Sequence, residues 1–221
     1  MIRILFSVLF LSLATLTLAQ NYTNKQMALI HYNLKISESF REEVQPLNNY
    51  LQSVEVHNKD ADDRLKAVLI HHLYYNLTPR IERQLEISIL PIHSFMEAVK
   101  YDKFGYPRSS INRALRKGDS PFYFKLDVTL SSRTEEEKEA NPEMPEGMIW
   151  PFFTIEVTVF NDEGIIPVDK WHGEARTEEG IAVEKDLFGE FTKQRPALGA
   201  TTLSGLYDQA VSNLINQHLN D

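Results

Sequence analysis

Six basic residues and three aromatic residues alternate between positions 100 and 117 of this 221-residue chain. Asp102 is the one acidic residue among them, so the segment carries a net charge of +5, whereas the whole chain carries −8. Cations beside aromatic rings can hold phosphate, an anionic lipid headgroup or an acidic glycan. We call residues 100–117 the basic segment. Its candidate binding residues are Lys100, Tyr101, Lys103, Phe104, Tyr106, Arg108, Arg113, Arg116 and Lys117.

The same basic segment also has a structural interpretation. Ser109 or Ser110 can cap a short helix, with Arg116 and Lys117 near its negative end and Gly118 as a left-handed stop. Capping accounts for two of the six charges, and the aromatic rings can cover a sheet edge. The sequence leaves both interpretations open, and the basic segment is its best candidate for a binding site.

A second candidate is catalytic. His172 and Glu174 are two residues apart, so on a strand they face the same side and can form an acid–base pair, with Asp169 as a further acid. The alternative is a polar contact between strands, with Trp171 in the core. The chain has no cysteine nucleophile, G-x-S-x-G elbow, phosphate loop or G-x-G-x-x-G dinucleotide motif. The sequence therefore favours a non-enzymatic protein, and a hydrolase remains the alternative.

The seven histidines do not have the spacing of metal ligands. His71 and His72 are adjacent, and on a helix they point about 100° apart, so they cannot chelate one ion. We expect His72 to pack in or near the core and His71 to be exposed. Neither a metal nor a cofactor is predicted.

The first nineteen residues have the pattern of a secretory signal peptide. Arg3 precedes an apolar stretch from Ile4 to Ala14, and Ala19 stands before the polar Gln20. The stretch is shorter than the roughly 20 residues that span a bilayer, so we predict cleavage after Ala19 and no transmembrane segment afterwards. An uncleaved anchor is the alternative.

Cleavage after Ala19 removes one charged residue, Arg3, and leaves a net charge of −9. This charge disfavours a nucleic-acid partner. An exported chain without cysteine cannot use the disulfides that are common in animal secreted domains. We therefore expect a bacterial protein that is periplasmic or extracellular.

Apolar spacing of three and four predicts helices in three parts of the chain. The first begins at Asn24 and should stop or kink near Val44, because Pro46 interrupts it, and a second short piece then runs to Ser53. The second runs from Asp62 to about Tyr75, with a short continuation from Pro79 to Gln84 capped by Thr78. The third covers residues 203–219, where Thr201 or Thr202 can cap the helix.

Alternation of apolar and polar residues predicts strands over residues 85–89, 122–130 and 153–159, and a hairpin returns the chain through residues 165–176. The acidic stretch 131–147, with charges from Glu135 to Glu146, is expected to be a solvated loop. Residues 177–200 have no clear pattern.

These elements predict an α+β fold with a mostly antiparallel sheet of about four strands, helices packed on one face, and an N-terminal helical segment before it. The expected division is a signal peptide at 1–19, the helical segment at 20–60 and the α+β domain at 61–221. The predicted function is an exported, non-enzymatic binding or assembly protein of the bacterial cell envelope. Its partner would be an envelope protein or an anionic surface. A small-molecule carrier with an apolar cavity between sheet and helices is a third possibility.

Overall fold

A computed structural model describes residues 22–56, 62–95, 98–134, 136–137, 145, 147–188 and 202–220. The fold is of the α+β class, as predicted. The strands are β1 (Gln26–Ile36), β2 (Ser88–Ile89), β3 (Phe122–Ser131), β4 (Met148–Ile149), β5 (Phe152–Asn161), β6 (Asp169–Arg176) and β7 (Ile181–Ala182). The α-helices are α1 (Glu38–Glu43), α2 (Asn48–Ser53), α3 (Arg64–Leu85), α4 (Ile111–Lys117) and α5 (Leu203–Asn220).

The main sheet has five strands in the order β2-β1-β3-β5-β6. Strands β3, β5 and β6 form the predicted antiparallel part, in which Leu126 pairs with Val157 and Val157 with Trp171. Strand β1 runs parallel to both β2 and β3. The sheet is therefore mixed and has one strand more than expected.

The helix predicted from Asn24 onward is wrong over residues 26–36, which form the central strand β1. A bulge between Leu29 and His31 shifts the register of β1 against β3. Strand β1 is also covered on both faces, with Met27 and Leu29 in one cluster and Ala28 and Ile30 in the other, so the strict alternation that identifies a strand is lost. Helical structure begins at α1, which Ser37 caps by accepting from the backbone N–H of Phe40 at 3.2 Å. The predicted break near Val44 is confirmed by the end of α1 at Glu43.

Helix α3 is one continuous helix with Pro79 inside it, not two. The Thr78 hydroxyl donates to the carbonyl oxygen of Tyr74 at 3.0 Å, so it does not act as the predicted N-cap. The helix ends at Leu85, and Glu86 follows in the left-handed region at φ 53°. The strand predicted over residues 85–89 is therefore reduced to two residues, because its first apolar position belongs to the helix.

The long helices α3 and α5 pack on one face of the sheet, and their shared core contains Tyr32, Phe124, Phe153 and Tyr207, all fully buried. The Tyr207 hydroxyl donates to the carbonyl oxygen of Leu73 at 2.8 Å and joins the two helices. These side chains occupy the space where a carrier would need a cavity. The short helix α4 packs on the opposite face against Ile30, Tyr123 and Phe160.

Helix α5 and the hairpin of β5 and β6 confirm the predictions for those regions. Thr202 caps α5, since its hydroxyl accepts from the backbone N–H of Gly205 at 3.1 Å. The predicted signal peptide, most of the acidic stretch and residues 189–200 lie outside the described residues.

Candidate functional site

Part of the basic segment is attached to the edge of β1 beyond the end of β2. The backbone N–H of Ser109 donates to the carbonyl oxygen of Ile30, and the N–H of Tyr32 donates to that of Pro107, both at 2.9 Å. Within the segment, the N–H of Arg108 donates to the carbonyl oxygen of Lys100 at 2.7 Å. These bonds continue the sheet and fix the position of the loop that follows Val99.

The loop tip is held by the single carboxylate of the basic segment. One oxygen of Asp102 accepts from the backbone N–H groups of Phe104 and Tyr106, at 2.9 and 3.0 Å. Gly105 completes the turn at φ 85°, a conformation that favours glycine. Asp102 therefore uses one of its two oxygens to shape the loop.

Tyr106 anchors the loop in the core. Its ring lies 4.8 Å from that of Tyr32 and 5.2 Å from that of Tyr74, measured between centroids. Its hydroxyl is 2.9 Å from Nδ1 of His71. Burial raises the pKa of Tyr106 well above its ordinary value, with nearby Tyr75 and Tyr74 adding to the shift, so the phenol is neutral. Of the two adjacent histidines, His71 is half-buried rather than exposed as predicted, because it bonds to Tyr106.

A cleft of about 440 Å³ lies between this loop, β1 and the first turn of α3. We call it the Lys66 cleft. Three cations line it, one from α3 and two from the loop. Its walls are formed by His31, Tyr32, Asn33, Lys66, Tyr101, Asp102, Lys103, Phe104 and Arg108.

Lys66 is half-buried at the base of the cleft. Its ammonium donates to Oδ1 of Asn33 at 3.0 Å and lies 5.3 Å from the centre of the Phe104 ring. Burial lowers the pKa of Lys66; the carboxylates of Asp102 and Asp63 oppose this shift, and the charge of Arg108 adds to it. The positive charges of Lys66 and Arg108 therefore repel each other in the cleft.

The other two cations differ in their partners. Lys103 forms an ion pair with Asp62 and lies 5.4 Å from the centre of the Phe104 ring. The guanidinium of Arg108 is exposed and has no hydrogen-bond or ion-pair partner among the residues that the structure describes. An anion in the cleft would meet Lys66 and Arg108 together.

The structure divides the nine predicted binding residues into two groups. Tyr101, Lys103, Phe104 and Arg108 line the Lys66 cleft, with Tyr106 packed beneath the loop. The rest lie elsewhere: Lys100 is exposed outside the cleft, Arg113 donates to the carbonyl oxygen of Ala98 at 3.0 Å, and Arg116 and Lys117 are exposed at the end of α4.

The capping interpretation is right for α4 in one part and wrong in another. Ser110 caps the helix by accepting from the backbone N–H of Arg113 at 3.4 Å. Gly118 is not a left-handed stop, since its φ is −96° and its ψ is 162°. The ring of Tyr123 packs so closely there that an added Cβ would lie 2.9 Å from its hydroxyl oxygen. Glycine is needed for this close approach rather than for a left-handed turn.

Sequence reasoning missed the residues that α3 and β1 contribute to the cleft. Lys66 is surrounded in the chain by Leu65, Ala67 and Val68, which are all buried. A lysine within such an apolar run was the available signal. His31 and Asn33 could not be placed, because the strand that carries them was predicted to be a helix.

The structure brings two of the three catalytic candidates together, on an exposed face of β6. Nε2 of His172 is 3.6 Å from Oε2 of Glu174, and both side chains are exposed, to 46% and 58%. The side chain of Asp169 lies on the other side of β6, where it accepts a hydrogen bond from Nε1 of the buried Trp171 at 2.9 Å. His172 also pairs across the strands with Glu156. This arrangement fits the polar contact between strands that the alternative interpretation expects.

Two further features concern metals and membranes. Within the described residues there is no group of three or more histidine, aspartate or glutamate side chains that could hold a metal ion. No helix in that part of the chain has the length and apolar character needed to span a membrane.

No family model matches the chain, and no curated protein matches its sequence. Among solved structures, the chain is similar to a lipoprotein from Neisseria meningitidis, with 8% identity and a TM-score of 0.42 over 89% of this chain and 99% of that one. A hypothetical protein from Chlamydia trachomatis is 8% identical, with a TM-score of 0.38 over 90% of this chain and 100% of that one. A Xanthomonas campestris protein described as DUF330 is 7% identical, with a TM-score of 0.35 over 92% and 85%.

Proposed function

We propose that this protein is an exported, non-enzymatic binding protein of the bacterial cell envelope that holds an anionic group in the Lys66 cleft. The convergence of Lys66 and Arg108 on one cleft carries the proposal. Like charges that repel each other are stabilised when an anion lies between them. The leader-like residues 1–19 and the absence of cysteine support the cellular location.

The walls of the cleft indicate the chemistry of the group. A phosphate or carboxylate would accept from the ammonium of Lys66 and the guanidinium of Arg108. The ammonium groups of Lys66 and Lys103 lie 5.3 and 5.4 Å from the centre of the largely buried Phe104 ring, which forms part of the cleft wall. The hydroxyl of Tyr101 already donates to the carbonyl oxygen of Ile92 at 2.7 Å, so it is not a free donor for the ligand. A cleft of about 440 Å³ suits a headgroup or a sugar acid.

The test compares two double variants with the same change of charge. Lys66→Gln with Arg108→Gln removes two of the three cations of the cleft and leaves Lys103, which is paired with Asp62. Arg116→Gln with Lys117→Gln removes two exposed cations at the end of α4. The probes are vesicles of phosphatidylethanolamine and phosphatidylglycerol at 3:1, vesicles of phosphatidylcholine, free glycerol phosphate and glucuronate. Binding is measured from 0.05 to 0.5 M salt.

We expect the cleft variant to bind the anionic probes about tenfold or more weakly, since charged hydrogen bonds each contribute roughly 1.5–3 kcal/mol. The α4 variant should bind as the wild type does. Wild-type binding should weaken with salt, because the Debye length falls from about 10 Å at 0.1 M. Equal losses in both variants would indicate a general effect of net charge and would refute the proposal, as would wild-type behaviour of the cleft variant.

The soluble probes separate the two possible sources of the anion. A lipid headgroup predicts binding to the anionic vesicles that glycerol phosphate displaces. A glycan predicts binding of glucuronate that vesicles do not displace. If neither class of probe binds the wild type, the anionic-ligand proposal is wrong, and crosslinking in the native envelope would be used to identify a protein partner.

A further inference from the structure

Four of the five large apolar side chains that are exposed within the described residues lie at one end of the molecule. Three belong to the connection between β5 and β6: Ile165 is 55% exposed, Ile166 77% and Val168 37%. The fourth is Leu219 in the last turn of α5, at 61%. We call these four residues the apolar end. Clusters of exposed apolar side chains mark surfaces that bind proteins or membranes.

The fold brings the connection and the end of α5 together. The backbone N–H of Val168 donates to the carbonyl oxygen of Val159 at 2.9 Å, which closes the hairpin below Ile165 and Ile166. Nδ1 of His218 lies 3.7 Å from Oδ2 of Asp169, the first residue of β6. Leu219 therefore emerges beside the hairpin.

The N-terminal part of the chain enters the fold at the same end. Tyr22, the first described residue, packs against Phe122, Trp171 and His218, with ring centroids 5.2, 5.8 and 5.8 Å away. In the sequence, seven residues separate Tyr22 from the apolar stretch Ile4–Ala14. Under the alternative of an uncleaved anchor, this stretch would join the fold next to its exposed apolar side chains.

The charges around the hairpin are nearly balanced, although the chain as a whole carries −8. Helix α4 ends there, because the residues after Lys117 lead into β3, whose Phe122 pairs with Asn161 at the base of the hairpin. Three cations and four carboxylates belong to this end: Arg116, Lys117 and Lys170, and Asp119, Asp162, Glu163 and Asp169. This end therefore meets less repulsion from an anionic bilayer than the net charge of the chain implies.

We propose that the apolar end docks on a lipid bilayer, with Ile165 and Ile166 inserted among the headgroups and the first acyl carbons. Apolar side chains on a protruding turn gain free energy when they leave water for that region. A stable dimer interface uses about 20–30 residues on each side, far more than this set of four. A bilayer therefore suits the apolar end better than a second copy of the chain does. This inference is independent of the Lys66 cleft.

The first experiment uses the absence of cysteine from the chain. Ile166→Cys and Gln52→Cys are each introduced alone in the full chain and labelled with a fluorophore that responds to polarity. Gln52 is an exposed residue of α2, which lies near the opposite end of β1. With vesicles of phosphatidylethanolamine and phosphatidylglycerol, the label at 166 should shift to the blue and be quenched by brominated acyl chains, while the label at 52 should change in neither respect.

The second experiment measures the partition of Ile165→Asn with Ile166→Asn into the same vesicles. We expect partition to fall roughly tenfold or more, because the loss of two inserted apolar side chains removes most of the contact. If the leader is not cleaved, it would hold the wild type and the double variant on the vesicles to the same extent. The fluorescence of the labels at 166 and 52 would then decide the question. Thermal unfolding checks that the double variant is as stable as the wild type.

Insertion driven by apolar contact should persist at 0.5 M salt, whereas binding in the Lys66 cleft should not. The two proposals can therefore fail separately. A label at 166 that stays in water, or that matches the label at 52, overturns the docking proposal. A blue shift that depends on protein concentration and needs no vesicles also overturns it, because it would show a second copy of the chain as the occupant.

Discussion

The contact between α5 and β6 is formed by apolar residues, whereas the Lys66 cleft is lined by charged residues. In the first, Trp171, Ala175 and Leu214 are buried, and Gly173 lets the backbone of the helix approach the strand. In the second, the half-buried ammonium of Lys66 lies in one cleft with the exposed guanidinium of Arg108, and burial lowers the pKa of Lys66. Apolar contact stabilises the folded state, whereas the burial of a charge costs stability. The comparison predicts that substitutions in the first region change stability and that substitutions in the second mainly change binding.

The largest effect is expected at Gly173. A Cβ added there would lie 2.4 Å from the carbonyl oxygen of Ala210 and 2.5 Å from the backbone nitrogen of Leu214. Because the obstacles are backbone atoms, Gly173→Ala must push α5 away from β6. We expect a loss of about 3 kcal/mol in the free energy of unfolding, measured by urea denaturation. Gly164→Ala is the control, since its nearest neighbour would be 4.0 Å away, and it should change stability little.

A smaller, pH-dependent effect is expected at the N-terminus of α3, beside the cleft. The guanidinium of Arg41 donates to both oxygens of Asp63, at 3.1 and 2.7 Å, and Asp63 also accepts from the backbone N–H of Lys66 at 3.1 Å. Burial acts to raise the pKa of Asp63, but the bonds from Arg41 and Lys66 outweigh it and lower the pKa below 3.8. The stabilisation is therefore complete above pH 3.8 and is lost as the pH falls through the lowered value.

Asp63→Asn tests this ion pair. We expect the variant to be about 1 kcal/mol less stable than the wild type at pH 7, because a two-bond contact with Arg41 loses its charge. The difference should shrink towards zero below pH 3.8. Asp119→Asn, which neutralises an exposed carboxylate, serves as the control and should show no such trend. A difference that stays constant down to pH 2 would show that the ion pair is not its source.

The smallest effect on stability is expected at Lys66 itself. Because burial lowers its pKa, the folded state disfavours the charged amine. Lys66→Met should keep the free energy of unfolding within about 0.5 kcal/mol of the wild type, or raise it, while the binding of anionic probes falls. The wild type should gain stability relative to the variant as the pH rises from the lowered pKa towards 10.5. A loss of more than about 1 kcal/mol at pH 7 would mean that Lys66 is a structural residue.

Strands β3, β5 and β6 could be predicted because one face of each is buried and the other meets water, so the alternation survives in the sequence. Strand β1 could not. It lies between β2 and β3 and is covered on both faces, so the consecutive residues Met27, Ala28, Leu29 and Ile30 are all buried. Helix α3 was divided in the prediction because Pro79 usually ends a helix, but here α3 continues to Leu85.

The candidate site, too, could be predicted from the sequence only in part. The loop from Tyr101 to Arg108 could be selected from its own charges and rings. Lys66 could not be assigned to it, because 34 positions separate it from Lys100 and their proximity depends on the pairing of β1 with the loop. Arg116 and Lys117 were grouped with the loop by sequence distance alone, and α4 separates them from the cleft.

The sequence alone determined the α+β class, the antiparallel hairpin, the capped helices α4 and α5, and the positive charge of the basic segment, because periodicity, capping residues and charge are local properties. The tertiary structure decided which cations face one cleft and which exposed apolar residues gather at one end. Those arrangements depend on strand register and helix packing, which join residues far apart in the chain.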